Sequence, residues 1–138
     1  MTAHALLVSP LYVGLACLMI VALALVVSLR RNKFRVGLGD GNQITLLQAI
    51  RAHGNFAEFV PLALLAIVVL EATGESRYII HVLGIALIVG RLCHAIGLLS
   101  TAGQSIGRRI GTALTWGVLI VVGILLIWQF VVAASLIG

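Results

Sequence analysis

Long apolar runs alternate with short polar segments along the chain. "LLVSPLYVGLACLMIVALALVVSL" (Leu6 to Leu29) contains no Asp, Glu, Lys or Arg, and neither does the block from Ile110 to Gly138. Crossing a bilayer core takes about 20 apolar residues in a helix. Each block therefore predicts one membrane span. Two further runs are long enough but less pure. Gln43 to Leu70 carries "AIRAHGNFAEF" in its first half, and Tyr78 to Ser100 is apolar except for His81, Arg91 and His94. The pattern predicts four helices, over about 6–29, 43–70, 78–100 and 110–136. They would form a single all-α domain, an integral membrane four-helix bundle spanning residues 1–138. Backbone polar groups cannot go unpaired in lipid, so helices suit runs of this length. The ten-residue alternating segments of an outer-membrane barrel are absent.

Composition agrees. Hydrophobic residues make up 62% and charged residues 9%, with mean hydropathy +1.21, where a soluble domain carries roughly 25% charged residues. The first run has its basic residues after it, in "RRNKFR" (Arg30 to Arg35), and not before it. That is a stop-transfer flank, so a retained helix is expected in place of a cleaved signal. The first loop holds Arg30, Arg31, Lys33 and Arg35, and the third holds Arg108 and Arg109. The middle loop, "EATGESR", has two glutamates against one arginine. Positive residues stay cytoplasmic. Loops one and three are thus expected on the cytoplasmic side and both termini on the other. The net charge of +5 then reflects topology, and no nucleic-acid partner is expected, because the basic residues flank spans. Cys17 and Cys93 fall within spans and give no metal spacing or disulfide framework, so they are expected to be small packing residues. "GLGDGNQ" (Gly37 to Gln43) lacks a preceding strand and a Gly-Lys-Ser/Thr ending. It is expected to be a turn, with Asn42 as N-cap of the second helix.

The unusual feature is the charge inside the second span. At about 100° per residue, Arg51, Asn55 and Glu58 share one helix face with Gln48, and His53 points nearly the opposite way. On the third helix Arg91 and His94 share a face. That helix runs back toward the same surface, so the two polar sets are expected at similar depth, near Arg30, Arg31, Arg108 and Arg109. Each loop arginine on its own is an ordinary anchor. His53 and His81 are expected in packing or interface roles, and Arg91 and His94 are open between packing and site. Arg51, Asn55 and Glu58 together point to function, because an ionisable group at a helix centre costs about 2.5–3.5 kcal/mol on insertion scales. Arginines outnumber carboxylates in the layer. Arginine takes carboxylates bidentately, Asn55 can serve a peptide backbone, and Glu58 can hold an amine. A zwitterionic peptide with two carboxylates fits, glutathione among the candidates.

"LLQAIRAHGNFAEFVPLALLAIVVLE" resembles the second-helix signature of the MAPEG family, the membrane-associated proteins of eicosanoid and glutathione metabolism. The Arg-Ala-x-x-Asn-x-x-Glu pattern is followed by an apolar run and a proline. "RRNKFRV" and "GRLCHAIG" resemble that family too, and the likeness is nearest to its bacterial members. The resemblance implies a homotrimer in a bacterial inner membrane, with glutathione bound between subunits on the cytoplasmic side. It implies that Arg51, Asn55 and Glu58 hold the tripeptide, helped by Arg30, His53 and His94, with Arg91 as a further glutathione-binding candidate. A thiolate-stabilising arginine is implied at the start of the fourth helix, with Arg109 the first choice and Arg108 the second. Several eukaryotic members have a tyrosine where this chain has Leu98, so the catalytic half of the pattern is kept only in part.

The implied activity is that of a glutathione transferase or peroxidase. A neighbouring arginine lowers the thiol pKa from near 8.5, and the thiolate attacks a lipophilic electrophile or hydroperoxide that enters from the membrane lipid. Glutathione serves as co-substrate, and no metal is required. Two other functions are open: a small transporter with Glu58 as proton or ion relay, and a non-catalytic membrane protein on the same scaffold. Arg51 on the same face argues against the relay, because it would keep Glu58 ionised.

Overall fold

In a computed structural model that describes residues 6–136, the chain forms four helices: α1 (Ser9–Phe34), α2 (Ile44–Ala72), α3 (Arg77–Ser100) and α4 (Ile106–Ser135). The last two residues of the final apolar block lie outside the described residues. All four helices are long and apolar enough to cross a membrane. Short connections run them alternately up and down. The basic ends of α1 and α4 therefore share one end of the bundle with the start of α2 and the end of α3. The opposite end carries Glu71 and Glu75. Helices α2 and α3 supply most of the buried side chains, including Leu46, Ile67, Leu70, Ile80 and Leu87. Helices α1 and α4 leave Leu18, Leu25, Ile120, Ile124 and Ile127 exposed. An apolar outer surface is what a lipid solvent calls for.

Helix boundaries differ from the sequence expectation where charge begins. Helix α1 runs on through "RRNKF" to Phe34. Arginine and lysine are good helix formers, and Arg31 and Lys33 in the last turn suit its negative dipole end. The basic segment is thus helical, not loop, and ends where Arg35 turns left-handed at φ 55°. Helix α4 likewise begins at Ile106, so Arg108 and Arg109 stand in its first turn and not in a loop. Ser105 is the N-cap, its hydroxyl accepting from the Arg108 amide at 3.2 Å.

"GLGDGNQ" is a turn, with Gly39, Gly41 and Asn42 all at positive φ. Asn42 is not the N-cap. Gln43 takes that place without a side-chain cap, and the Asn42 amide donates to Asp40 Oδ1 at 3.0 Å. The Asp40 side chain builds the turn and leaves Asn42 at a left-handed position that asparagine tolerates. Arg31 fastens the same turn, donating to the carbonyls of Gly37 at 3.2 Å and Gly39 at 3.0 Å.

The opposite end is held by Glu71. Its Oε1 accepts from the amides of Leu7 (2.9 Å) and Val8 (2.7 Å), and its Oε2 from that of Ser9 (2.8 Å). The first amides of a helix have no partner within it. A buried carboxylate from the far end of α2 supplies theirs. One turn further in, the Tyr12 hydroxyl lies 2.7 Å from His81 Nδ1, giving His81 a role between helices. The Tyr12 ring lies where a side chain on Gly84 would stand, so only glycine admits it. Glu71→Ala is expected to destabilise the bundle by about 2–3 kcal/mol, through buried amides left unpaired. Glu71→Gln, which keeps one acceptor oxygen, should lose less. Thermal unfolding in detergent micelles measures both.

Candidate functional site

The polar stripe of α2 sits on the edge of the packed surface. Gln48 is buried and Asn55 half-buried, whereas Arg51 and Glu58 are exposed. The angles explain the division. Residues 48 and 55 lie about 40–60° round the helix from residue 51, toward buried Ala52, and residue 58 lies about 20° the other way. One row of four polar residues therefore has an inner edge, Gln48 and Asn55, and an outer edge, Arg51 and Glu58. His53 is half-buried.

Arg91 joins the inner edge to the rest of the bundle. It is only 3% exposed. Its Nη1 donates to Asn55 Oδ1 at 2.9 Å and its Nη2 to the Gly111 carbonyl at 3.1 Å. The guanidinium carbon lies 5.7 Å from the centroid of the Phe59 ring, within cation–π range. Among the described residues its Nε has no hydrogen-bond partner. Both hydrogen bonds go to neutral oxygens, so the cation's charge is solvated by dipoles and a π-face.

Glycine makes the second of those bonds possible. A side chain on Gly111 would collide with the Gly90 carbonyl and with His94, and one on Gly107 would stand 2.8 Å from the Cys93 carbonyl. Gly90 and Gly97 face the same seam from α3. Small residues let membrane helices approach closely, and "GRRIG" (Gly107 to Gly111) has the spacing for it. The approach brings the Gly111 carbonyl within reach of Arg91. It also leaves the two arginines between those glycines at the edge of the seam.

Beside this seam lies a groove of about 400 Å³, lined by His94, Ser105, Arg108, Arg109, Thr112 and Trp116 among others. Its size suits a small molecule. One end is polar and cationic and sits at the positive end of the α4 dipole. Exposed Trp116 makes the other end aromatic. His94 is buried at the groove wall. Arg108 is partly committed, its Nη1 donating to the Gly103 carbonyl at 2.7 Å, and Arg109 is exposed.

Of the residues expected at one site, the fold joins Asn55 to Arg91 and gathers His94, Arg108 and Arg109 at the groove. Arg51 and Glu58 stand apart on the outer edge of α2. Arg30 donates to the Thr45 carbonyl, tying the end of α1 to the start of α2. Leu98 is buried in the core. Cys17 is exposed on α1 and not packed, and Cys93 is intermediate. Sequence reasoning missed the glycine seam, although the "GRRIG" spacing is visible in the chain.

Four apolar helices with a polar layer near one end define a small multi-pass membrane protein. The chain belongs to the MAPEG family, whose model matches residues 9–128. It is similar to inner membrane protein YecN of Escherichia coli, in strains K12 and CFT073. Each is 34% identical over 121 residues, covering 88% of this chain and 91% of the relative. No solved structure matches it.

Gly111→Ala is expected to destabilise the bundle by about 1–3 kcal/mol through overpacking and to break the Arg91 bond to α4. Gly117, on the same helix, has open space around it. Gly117→Ala should therefore be neutral or stabilising by up to about 1 kcal/mol. Unfolding of the two variants in one detergent makes the comparison.

Proposed function

We propose that the chain is a membrane-embedded glutathione-binding protein, a glutathione transferase or peroxidase acting on lipophilic electrophiles or hydroperoxides. The observation that carries this is the division of the polar layer. Arg51 and Glu58 present an arginine and a carboxylate laterally from α2, while His94, Arg108 and Arg109 line a groove at the same end of the bundle. Neither half alone matches a peptide with two carboxylates, an amine and a thiol. The outer edge of α2 in one copy set against the α3–α4 groove of a second supplies all the complements. A closed ring of three copies, the homotrimer implied by the family, repeats that junction.

In this arrangement Arg51 takes a carboxylate, Glu58 the amine and Asn55 a backbone or carboxylate oxygen. Arg109 faces the sulfur. It is preferred to Arg108, whose guanidinium is spent in part on the Gly103 carbonyl. The thiol proton leaves to solvent, and the cation and the α4 dipole favour the thiolate left behind. With an aryl halide, the sulfur forms a bond to carbon and halide departs. With a hydroperoxide, the sulfur takes the terminal oxygen, an alcohol leaves, and a second glutathione reduces the sulfenic product to disulfide and water. Trp116 and the apolar outer faces suit a substrate arriving through lipid. By the positive-inside rule the basic end faces the cytoplasm. The relatives named as inner membrane proteins support a bacterial inner membrane.

Calorimetry on the detergent-solubilised protein tests binding. Arg51→Ala and Glu58→Ala should each weaken glutathione by about 2–5 kcal/mol. Normal binding by both would make the stripe structural. Cross-linking in mild detergent should give a ladder ending at three, and a clean dimer would overturn the trimer.

Catalysis has its own test. Arg109→Ala should keep glutathione affinity nearly intact, lower turnover of an aryl halide at neutral pH, and recover as pH rises and the thiol ionises unaided. Arg108→Ala is the paired control. If neither change shifts the pH–rate profile, no arginine here activates the thiol.

A further inference from the structure

We infer that Arg91 is a positioning residue: it fixes which way round the Asn55 carboxamide sits, and so sets the hydrogen-bonding polarity of the α2 stripe. A carboxamide has an accepting oxygen and a donating NH₂ group on opposite sides, and it is symmetric enough in shape to be held either way round. A guanidinium can only donate. With Arg91 Nη1 at 2.9 Å, the side of Asn55 that faces α3 has to be the oxygen. The NH₂ group is then turned toward the face shared with Arg51 and Glu58. Read outward, the stripe becomes donor, donor, acceptor: Arg51, Asn55, Glu58.

Arg91 is itself badly placed to touch a ligand. It is 3% exposed, and its two terminal nitrogens are engaged with Asn55 and Gly111. Phe59 covers one face. The bond to the Gly111 carbonyl holds the guanidinium from the far side, so the orientation of Asn55 is braced by α4 through the glycine seam. Placing a cation here is costly. A leucine would pack the same space, but it would let the carboxamide flip. The chemical consequence is selectivity for an acceptor at Asn55. A carboxylate or peptide carbonyl satisfies it, and a ligand that offers an N–H donor there leaves two donors facing each other.

The ligand arm of the test rests on the glutathione reading, and the stability arm does not. For stability, Asn55→Asp is made in the native protein and in Arg91→Met, and thermal unfolding is measured in detergent. An aspartate accepts from Arg91 on either oxygen. It should therefore be better tolerated, by several degrees in Tm, beside Arg91 than beside methionine. Equal effects in the two backgrounds would mean that positions 55 and 91 do not interact, and would overturn the inference.

For the ligand arm, calorimetry compares glutathione with two analogues, each with one carboxylate replaced by an aminomethyl group, which as the ammonium can only donate. The native protein should prefer glutathione to the analogue whose ammonium faces Asn55 by about tenfold or more. Arg91→Met should weaken glutathione and narrow that ratio severalfold, because a free carboxamide can flip to accept from the ammonium, while the analogue altered at the other carboxylate controls for the change of charge. A fall by one common factor for all three probes would make Arg91 a packing residue only. Asn55→Asp, which keeps the Arg91 partner but removes both outward donors, should lose glutathione by about tenfold or more. Unchanged binding would overturn the assigned polarity, and this variant serves even if Arg91→Met fails to fold. If the unsubstituted protein binds none of the probes, the glutathione reading falls, and the stability arm alone decides the role of Arg91.

Discussion

A single buried guanidinium holds three of the four helices in register. Arg91 on α3 reaches α2 through Asn55 and α4 through the Gly111 carbonyl. In a bilayer no water replaces those bonds if they part. A hydrogen bond to a charged group contributes about 1.5–3 kcal/mol, while polar contacts between membrane helices average nearer 0.6 kcal/mol. The clasp depends in turn on the absence of a side chain. Only glycine at position 111 brings the α4 backbone close enough to α3. Arginine and glycine therefore work as one unit.

The two ends of the bundle solve different problems. At the acidic end, polar side chains are consumed in fastening helices. Glu71 serves the start of α1, Tyr12 meets His81, and the Thr73 hydroxyl donates to Gln129 at 2.6 Å. At the basic end much of the charge is likewise spent on carbonyls, as Arg30, Arg31 and Arg108 show. Exposed Arg51, Glu58 and Arg109 keep charge available for something outside the chain. The chemistry concentrates where the fold leaves charges over.

Much of this was legible in the sequence. Four spans follow from run length, and the shared face of Arg51, Asn55 and Glu58 follows from helical angle alone. The helix ends were not, because hydropathy marks where lipid stops, and α1 and α4 carry their arginines on helix that continues past that point. The inner and outer edges of the stripe depend on what α2 packs against, which periodicity does not give. Asn42 has the chemistry of an N-cap, but it was outcompeted by a turn in which Asp40 is the acceptor. Glu71 looked like a loop charge, since nothing local marks a partner more than sixty residues earlier. The seam of Gly107 and Gly111 was visible as a spacing, and its partners on α3 were not.

The cap on α1 bears on how the protein is made. The amides of Leu7, Val8 and Ser9 are satisfied by a carboxylate 62 to 64 residues later in the chain. When α1 leaves the ribosome that carboxylate has not been synthesised, so the start of the first helix waits with its donors open. They close only when the far end of α2 has folded back beside the start of α1. Glu71 thus ties the open end of the first helical hairpin, and does so only once both helices are in place. A first helical hairpin whose second helix halts halfway leaves three bare amides and a lone carboxylate at the apolar boundary, where unpaired polar groups are costly.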